Sequence, residues 1–262
     1  MSETVLVTGA SSGIGLELAK CFARDRARLV LVARTTSALE TLAAQLAVEH
    51  QVEAHVLTAD LAQPAAPQKI YEELQGRGIA VDVLVNNAGF GLHGGFAELP
   101  LSRQCEIIQV NVAALVALTG CFLPGMVARR HGGILNVGSV AGFLPGPNMA
   151  VYYASKAFVQ SFSEALVEEL RGTGVSVTNL CPGPTETNFS QRARSHRVRQ
   201  AQAKKMSAAE VAAAGYRDFR NGKAISIPGW ANKLTAAAPR WLPRFAIRRI
   251  VGKYNQLSPP QK

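Results

Sequence analysis

The sequence predicts an α/β fold: one domain built on a doubly wound, parallel seven-stranded sheet with helices on both faces. Three observations lead there. Short β-branched runs alternate with longer stretches of helical periodicity along most of the 262 residues, the pattern of parallel strands joined by crossover helices. The runs Leu29-Val30-Leu31-Val32 and Val83-Leu84-Val85 are continuously apolar, as strands covered on both sides must be. Hydrophobic residues make up 48% of the chain and charged residues 18%, enough to enclose one large core.

In order, strands are expected at Thr4–Val7, Arg28–Ala33, Val52–Thr58, Val81–Val85, Gly133–Val137, Ser176–Leu180 and Ala224–Ile227. Helices are expected near 13–25, 36–49, 65–76, 101–130, 150–172 and 207–221. Right-handed crossovers leave few topologies besides the doubly wound one. The apolar stretch Ile107 to Val127 holds Gln109, Asn111, Gly120 and Pro124, which suit a buried helix better than a membrane span. No internal repeat or low-complexity linker divides residues 1–262.

Charge is unevenly spread. Residues 1–186 hold 12 Lys and Arg against 16 Asp and Glu, whereas 187–262 hold 16 against 2. Such asymmetry marks either a docking surface for an anionic partner or a merely soluble face. The basic stretch around 191–205 has weak periodicity. Farther on, Trp241, Leu242, Phe245, Ile247, Ile250 and Val251 interleave with Arg240, Arg244, Arg248, Arg249 and Lys253. Pro239 and Pro243 should confine regular helix in 230–254 mostly to its second half. Cys21, Cys105, Cys121 and Cys181 have no paired spacing, so neither a disulfide framework nor a metal site is expected. Three of the four fall in apolar helical patterns. With no export signal in view, a cytoplasmic location is expected.

The first strand runs into Thr8-Gly9-Ala10-Ser11-Ser12-Gly13-Ile14-Gly15 and then a helix. A helix N-terminus offers unpaired N–H groups to a phosphate, and glycines let the backbone approach it closely. Any tight βα corner can use a glycine, but three in this context point to a nucleotide site. The second strand ends Ala33-Arg34. Ala33 removes the carboxylate that would meet the ribose hydroxyls of NAD, and Arg34 can meet a 2′-phosphate. NADP(H) is therefore expected over NAD(H).

Thirteen residues after Ser139 comes Tyr152-Tyr153-Ala154-Ser155-Lys156. Tyr152 and Lys156, one helical turn apart, share a face. An ammonium there would favour the phenolate, so the Tyr152 pKa is expected to fall, with cofactor charge assisting. Tyr152 could then exchange a proton with a substrate oxygen. The same pair can also occur by chance on an ordinary amphipathic helix. Tyr153 points about 100° away and is read as packing.

Together these segments resemble the short-chain dehydrogenase/reductase family, in order from about residue 4 to 189. The loop Thr8–Gly15 resembles its cofactor signature, which implies that Gly9, Ser11, Ser12, Gly13, Ile14 and Gly15 bind the cofactor. Asp60 and Leu61 sit where the family contacts adenine. Asn86-Asn87-Ala88-Gly89 resembles its fourth-strand motif, which implies that Asn87, Ala88 and Gly89 line the cofactor. Asn111, Ser139, Tyr152 and Lys156 match its catalytic tetrad, and Pro182, Gly183, Thr185 and Thr187 the segment around the nicotinamide. The resemblance implies a single Rossmann-type domain, with a cofactor-binding and catalytic core at 1–186. It implies that Tyr152 exchanges the proton and Ser139 orients the substrate oxygen. Lys156 would tune the tyrosine and hold the ribose, and Asn111 would anchor a water. It also implies a homodimer or homotetramer through the helices at 101–130 and 150–172.

The activity expected is interconversion of a carbonyl and an alcohol. Phe90, Phe143, Leu144 and Met149 flank the site and suggest a fairly apolar ketone or oxoacyl substrate. A non-catalytic dinucleotide-binding protein, or one associated with a membrane surface, is the alternative. Zinc spacing, helix-turn-helix and RNA-binding aromatic signals are lacking, so no nucleic-acid partner is expected. The segment 187–262 is read as a substrate lid or subunit contact, with an anionic membrane interface as the other reading.

Overall fold

The computed structural model describes residues 2–189, 193 and 205–256. The basic stretch at 191–205 therefore lies almost wholly outside the described residues. In β1 (Thr4–Thr8), five β-branched or apolar residues are buried in succession. Leu6 lies opposite Val30 of β2 (Arg28–Ala33) on one side and Leu84 of β4 (Val83–Asn86) on the other. With β3 (Ala54–Thr58), β5 (Gly132–Val137), β6 (Val175–Leu180) and β9 (Ile225–Ser226) they form a seven-stranded parallel sheet, in the order β3-β2-β1-β4-β5-β6-β9. The doubly wound expectation holds. A second, two-stranded parallel pair, β7 (Thr185–Glu186) and β8 (Met206–Ser207), was not expected. Two residues are too few to show a strand period.

The side chains of β1 alternate between two cores. Val5 and Val7 pack with α1 (Gly13–Arg24), α2 (Thr36–His50) and α7 (Ala208–Arg220), whereas Leu6 packs with α3 (Ala66–Gly76), α5 (Ala114–Arg129) and α6 (Ala150–Glu169). Each fully buried leucine or phenylalanine, such as Leu18, Phe22, Leu84 and Leu118, contributes roughly 1.5–3 kcal/mol. α7 starts at a capping box, in which Ser207 Oγ accepts from Glu210 N and Glu210 Oε2 accepts from Ser207 N.

The helix expected at 101–130 is α4 (Leu101–Ile108) and α5 joined by a π-helical turn, Gln109–Ala113. By length and apolarity this run, Leu101–Arg129, could cross a membrane. Here it buries Ile107, Leu118, Phe122 and Met126 in the core. The tail departs from expectation: α8 (Trp230–Ala237) precedes both prolines, and α9 (Arg244–Tyr254) follows them. Proline disrupts the turn just before it but is tolerated where a helix starts, so α8 ends at Ala237, two residues short of Pro239, and α9 begins directly after Pro243. Cys21 and Cys181 are buried, Cys121 is half-buried and Cys105 is exposed; none is in a disulfide.

Candidate active site

Strand order reverses between β1 and β4, and a crevice at the carboxyl ends of the strands follows from that topology. A cleft of about 310 Å3 lies there. Gly9 and Gly13 on its floor have φ of +66° and +61°, a conformation costly to any residue with a Cβ. A Cβ on Gly9 would stand 2.7 Å from Asn87 Nδ2, and one on Gly13 3.0 Å from Thr187 Cγ2. The loop is thus closed against the residues after β4 on one flank and β7 on the other. The first turn of α1 opens here, where N–H groups lack helical acceptors.

Two side chains hold this corner. Thr8 Oγ1 accepts from the N–H groups of Asn87 and Ala88, both at 3.0 Å, and donates to Val85 O. Asn87 Nδ2 donates to Thr8 O at 2.8 Å and Gly9 O at 3.3 Å. Thr8 belongs to the loop read from sequence, but its role in bracing this corner was not expected. Its signal is a hydroxyl at the last buried position of the first strand, where an aliphatic residue would otherwise serve.

The cleft brings together nearly all the expected cofactor residues: Gly9, Ser11, Ser12, Gly13 and Ile14; Arg34; Asp60 and Leu61; Asn87, Ala88 and Gly89; and Pro182, Gly183, Thr185 and Thr187. Gly15 is the exception. It is buried against Asn87 and the Gly9 carbonyl, so its lack of a Cβ serves packing behind the loop. Arg34 is exposed beside the cleft and has no ion pair among the described residues. A long nucleotide with phosphates at the glycine loop fits this arrangement: the loop is bare of side-chain bulk, and the rim carries a cation.

At the other end, Ser139, Tyr152 and Lys156 line the cleft. Ser139 ends the loop after β5, where its Oγ accepts from Ala141 N at 3.1 Å. Tyr152 and Lys156 lie on the first two turns of α6. Lys156 is buried, and its Nζ donates to Val137 O at 2.7 Å. Burial brings its pKa down to about 8. The ammonium stands 6.0 Å from the centre of the Tyr152 ring.

Acidification of Tyr152 by Lys156 alone is not found. Desolvation pushes its phenol up to about 12, against the opposing pull of a hydrogen bond with Ser139. Removing a phenolate from water costs more than the neighbouring groups return, so Tyr152 is held firmly protonated.

Asn111 lies on the π turn, behind the cleft wall rather than in it. Its Oδ1 accepts from Phe90 N and its Nδ2 donates to Phe90 O, both at 3.0 Å. The same Nδ2 donates to Ser155 Oγ at 3.0 Å, and Ser155 Oγ donates to Tyr152 O at 2.7 Å. Asn111 is thereby tied to the backbone of the tyrosine. Ser155 escaped the sequence reading, although its place three residues after Tyr152 puts it on the same helix face.

Of the four apolar flanking residues, Phe90 and Met149 line the cleft, whereas Phe143 and Leu144 do not. Leu144 instead packs on a small apolar cluster of Met149, Tyr153, Ala193, Ile247 and Val251. Phe189, missed from sequence, lines the cleft with its ring 5.2 Å from that of Tyr152. Tyr153, expected only to pack, is buried but also lines the cleft, and its hydroxyl donates to Asn255 Oδ1 at 3.4 Å.

Known proteins resemble the chain in sequence and in fold. The chain is 40% identical over 192 residues to sulfoacetaldehyde reductase 2 of Chromohalobacter salexigens, covering 72% of this chain and 75% of that one. Other curated relatives are longer: the chain spans 60% of one and 50% of another. A short-chain dehydrogenase from Sphingobium yanoikuyae, solved in complex with NADPH, superposes with a TM-score of 0.81 at 35% identity, covering 90% of this chain and 91% of that one. A short-chain dehydrogenase/reductase from Burkholderia phymatum, in complex with NAD, gives 0.81 at 26% identity, with 90% and 92% covered. The short chain dehydrogenase family model matches residues 3–198. Every cleft residue named above from Gly9 to Phe189 falls inside that match, and the chain therefore belongs to the short-chain dehydrogenase/reductase family of oxidoreductases.

Proposed function

We propose that the chain is an NADP(H)-dependent reductase of a fairly apolar ketone or oxoacyl substrate. The observation that carries this reading is the placement of Tyr152 with Ser139 and Lys156 at the end of a cleft that begins at the glycine loop. Protonation is the state needed to deliver a proton to a carbonyl oxygen. The dinucleotide, when bound, supplies the hydride. Ser139 orients the substrate oxygen, and Tyr152 gives up its hydrogen to it. Lys156 stands one turn along, its ammonium 6.0 Å from the centre of the Tyr152 ring, where it would hold the ribose. Asn111, through Ser155 and the Tyr152 carbonyl, holds the first turn of α6 in place.

The preference for NADP(H) rests on Ala33 and Arg34. No carboxylate ends β2 to meet a ribose hydroxyl, and the Arg34 guanidinium, without an ion pair among the described residues, stands ready for a 2′-phosphate. Phe90, Met149 and Phe189 at the cleft support an apolar substrate. The exposed side chains of Leu101, Ile108 and Val116 on the α4–α5 run, with Phe158 on α6, support a homodimer or homotetramer through those helices. The test is NADPH oxidation against a panel of ketones, aldehydes, oxoacyl thioesters and oxosteroids, with NADH in parallel. Turnover with NADPH on an apolar carbonyl is expected; faster turnover with NADH throughout would overturn the cofactor assignment.

A further inference from the structure

The chain has two tryptophans, and both stand at the surface of the tail: Trp230 is 76% exposed and Trp241 85%. Leu234, one turn along α8 from Trp230, is 62% exposed, and Phe245 and Ile250 on α9 are more than half exposed. Around them stand Lys233, Arg240, Arg244, Arg248, Arg249 and Lys253, all exposed. None of these six has an ion pair among the described residues. Water penalises that much bare apolar surface, and six unpaired cations call for an anionic partner.

We infer that α8, α9 and the turn between them dock the protein on an anionic lipid surface. Arginine and lysine reach phosphate headgroups while tryptophan, phenylalanine and aliphatic side chains enter the acyl boundary. The competing occupants fit less well. A lid role is already filled by Ile247 and Val251, which are buried on Met149 and Tyr153; the residues in question lie outside that contact. A second copy of the chain would set this cationic patch against itself across a symmetric interface. Nucleic acid would use the cations but leave Leu234 and Ile250 without reward. The patch also borders the reaction cleft. α8 packs on the turn Val140–Phe143 that follows Ser139, and α9 covers the cluster next to Tyr152. An apolar substrate dissolved in the bilayer would thus meet the protein beside its cleft. The docking surface itself does not depend on the substrate assigned above.

Because both tryptophans lie in the patch, tryptophan fluorescence reports on it alone. The full chain is mixed with vesicles of phosphatidylcholine and phosphatidylserine, or of phosphatidylcholine alone. A blue shift and co-sedimentation are expected with the mixed vesicles, weakening as salt is raised. The double substitution Arg248→Glu with Arg249→Glu is expected to weaken that binding about thirtyfold or more. Trp241→Ser, a second variant that leaves charge unchanged, should weaken it too. Turnover of a soluble carbonyl without vesicles should be the same in all three proteins, which separates this test from that of the active site. Absence of binding to mixed vesicles, or undiminished binding by the charge-reversed variant, would overturn the inference. So would a blue shift that needs only higher protein concentration, the mark of a second copy, or one produced by duplex DNA and not by vesicles.

Discussion

Lys156 Nζ donates its 2.7 Å hydrogen bond to the carbonyl of Val137, at the end of β5, rather than to the phenol one turn away. The side chain is buried, and its pKa is lowered from 10.5 to about 8. Folding therefore disfavours its charged form. The unfolded chain binds the proton more tightly between those two pKa values, so wild-type stability should rise with pH from about 8 to about 10.5 through this group. Lys156→Met is expected to be inactive yet more stable than wild type below pH 8, by at most about 3 kcal/mol. The gap should close as pH approaches the unfolded value. Urea unfolding of both proteins across that range checks the sign; a gap that widens with pH would refute it.

Tyr152→Phe removes one oxygen and keeps the ring on Phe189. NADPH affinity, read from the fluorescence of the bound nucleotide, should change little. Turnover should fall roughly a hundred- to ten-thousand-fold. Retained turnover would remove Tyr152 from the chemistry.

Arg34→Asp places at the end of β2 the carboxylate that a ribose hydroxyl would prefer. The ratio of kcat/KM with NADPH to that with NADH should fall by about tenfold or more, as loss of a charge-assisted contact implies. An unchanged ratio would show that Arg34 is only a solvated surface cation.

Asn255 is fully buried just beyond α9, and its partners are far away in sequence. Its Nδ2 donates to Pro147 O at 2.9 Å, its Oδ1 accepts from Tyr153, and its carbonyl meets His93 Nε2 at 2.6 Å. Asn255→Ala strands the Tyr153 hydroxyl and the Pro147 carbonyl, at a cost of about 1–3 kcal/mol. Because Met149 and Tyr153 belong to the same cluster, KM for substrate should rise more than kcat falls. Thermal unfolding and steady-state kinetics together check this; an unchanged melting midpoint would contradict it.

Much of this was legible in the residues themselves. Buried parallel strands show as Leu29–Val32 and Val83–Val85 because both of their faces need apolar side chains. The glycine loop and the pair Tyr152 and Lys156 show because their chemistry depends on neighbours in sequence. The links that cross the fold were hidden. Thr8 to Asn87, Asn111 to Ser155 and Tyr153 to Asn255 join positions 44 to 102 residues apart, and no periodicity encodes such partners. The burial of Tyr152 was hidden for a related reason. Spacing reveals the ammonium nearby, but the dryness that outweighs it belongs to the folded cleft.

The π turn at Gln109–Ala113 holds one residue more than regular α geometry would use. A deletion from the regular turns of α5 has no such slack, and everything on its N-terminal side would swing by about 100°. Ile107 would leave the core and Asn111 would lose Phe90. Insertions and deletions should consequently be tolerated in the loops around this helix far better than within it, since a change of one residue there alters aim and not merely length.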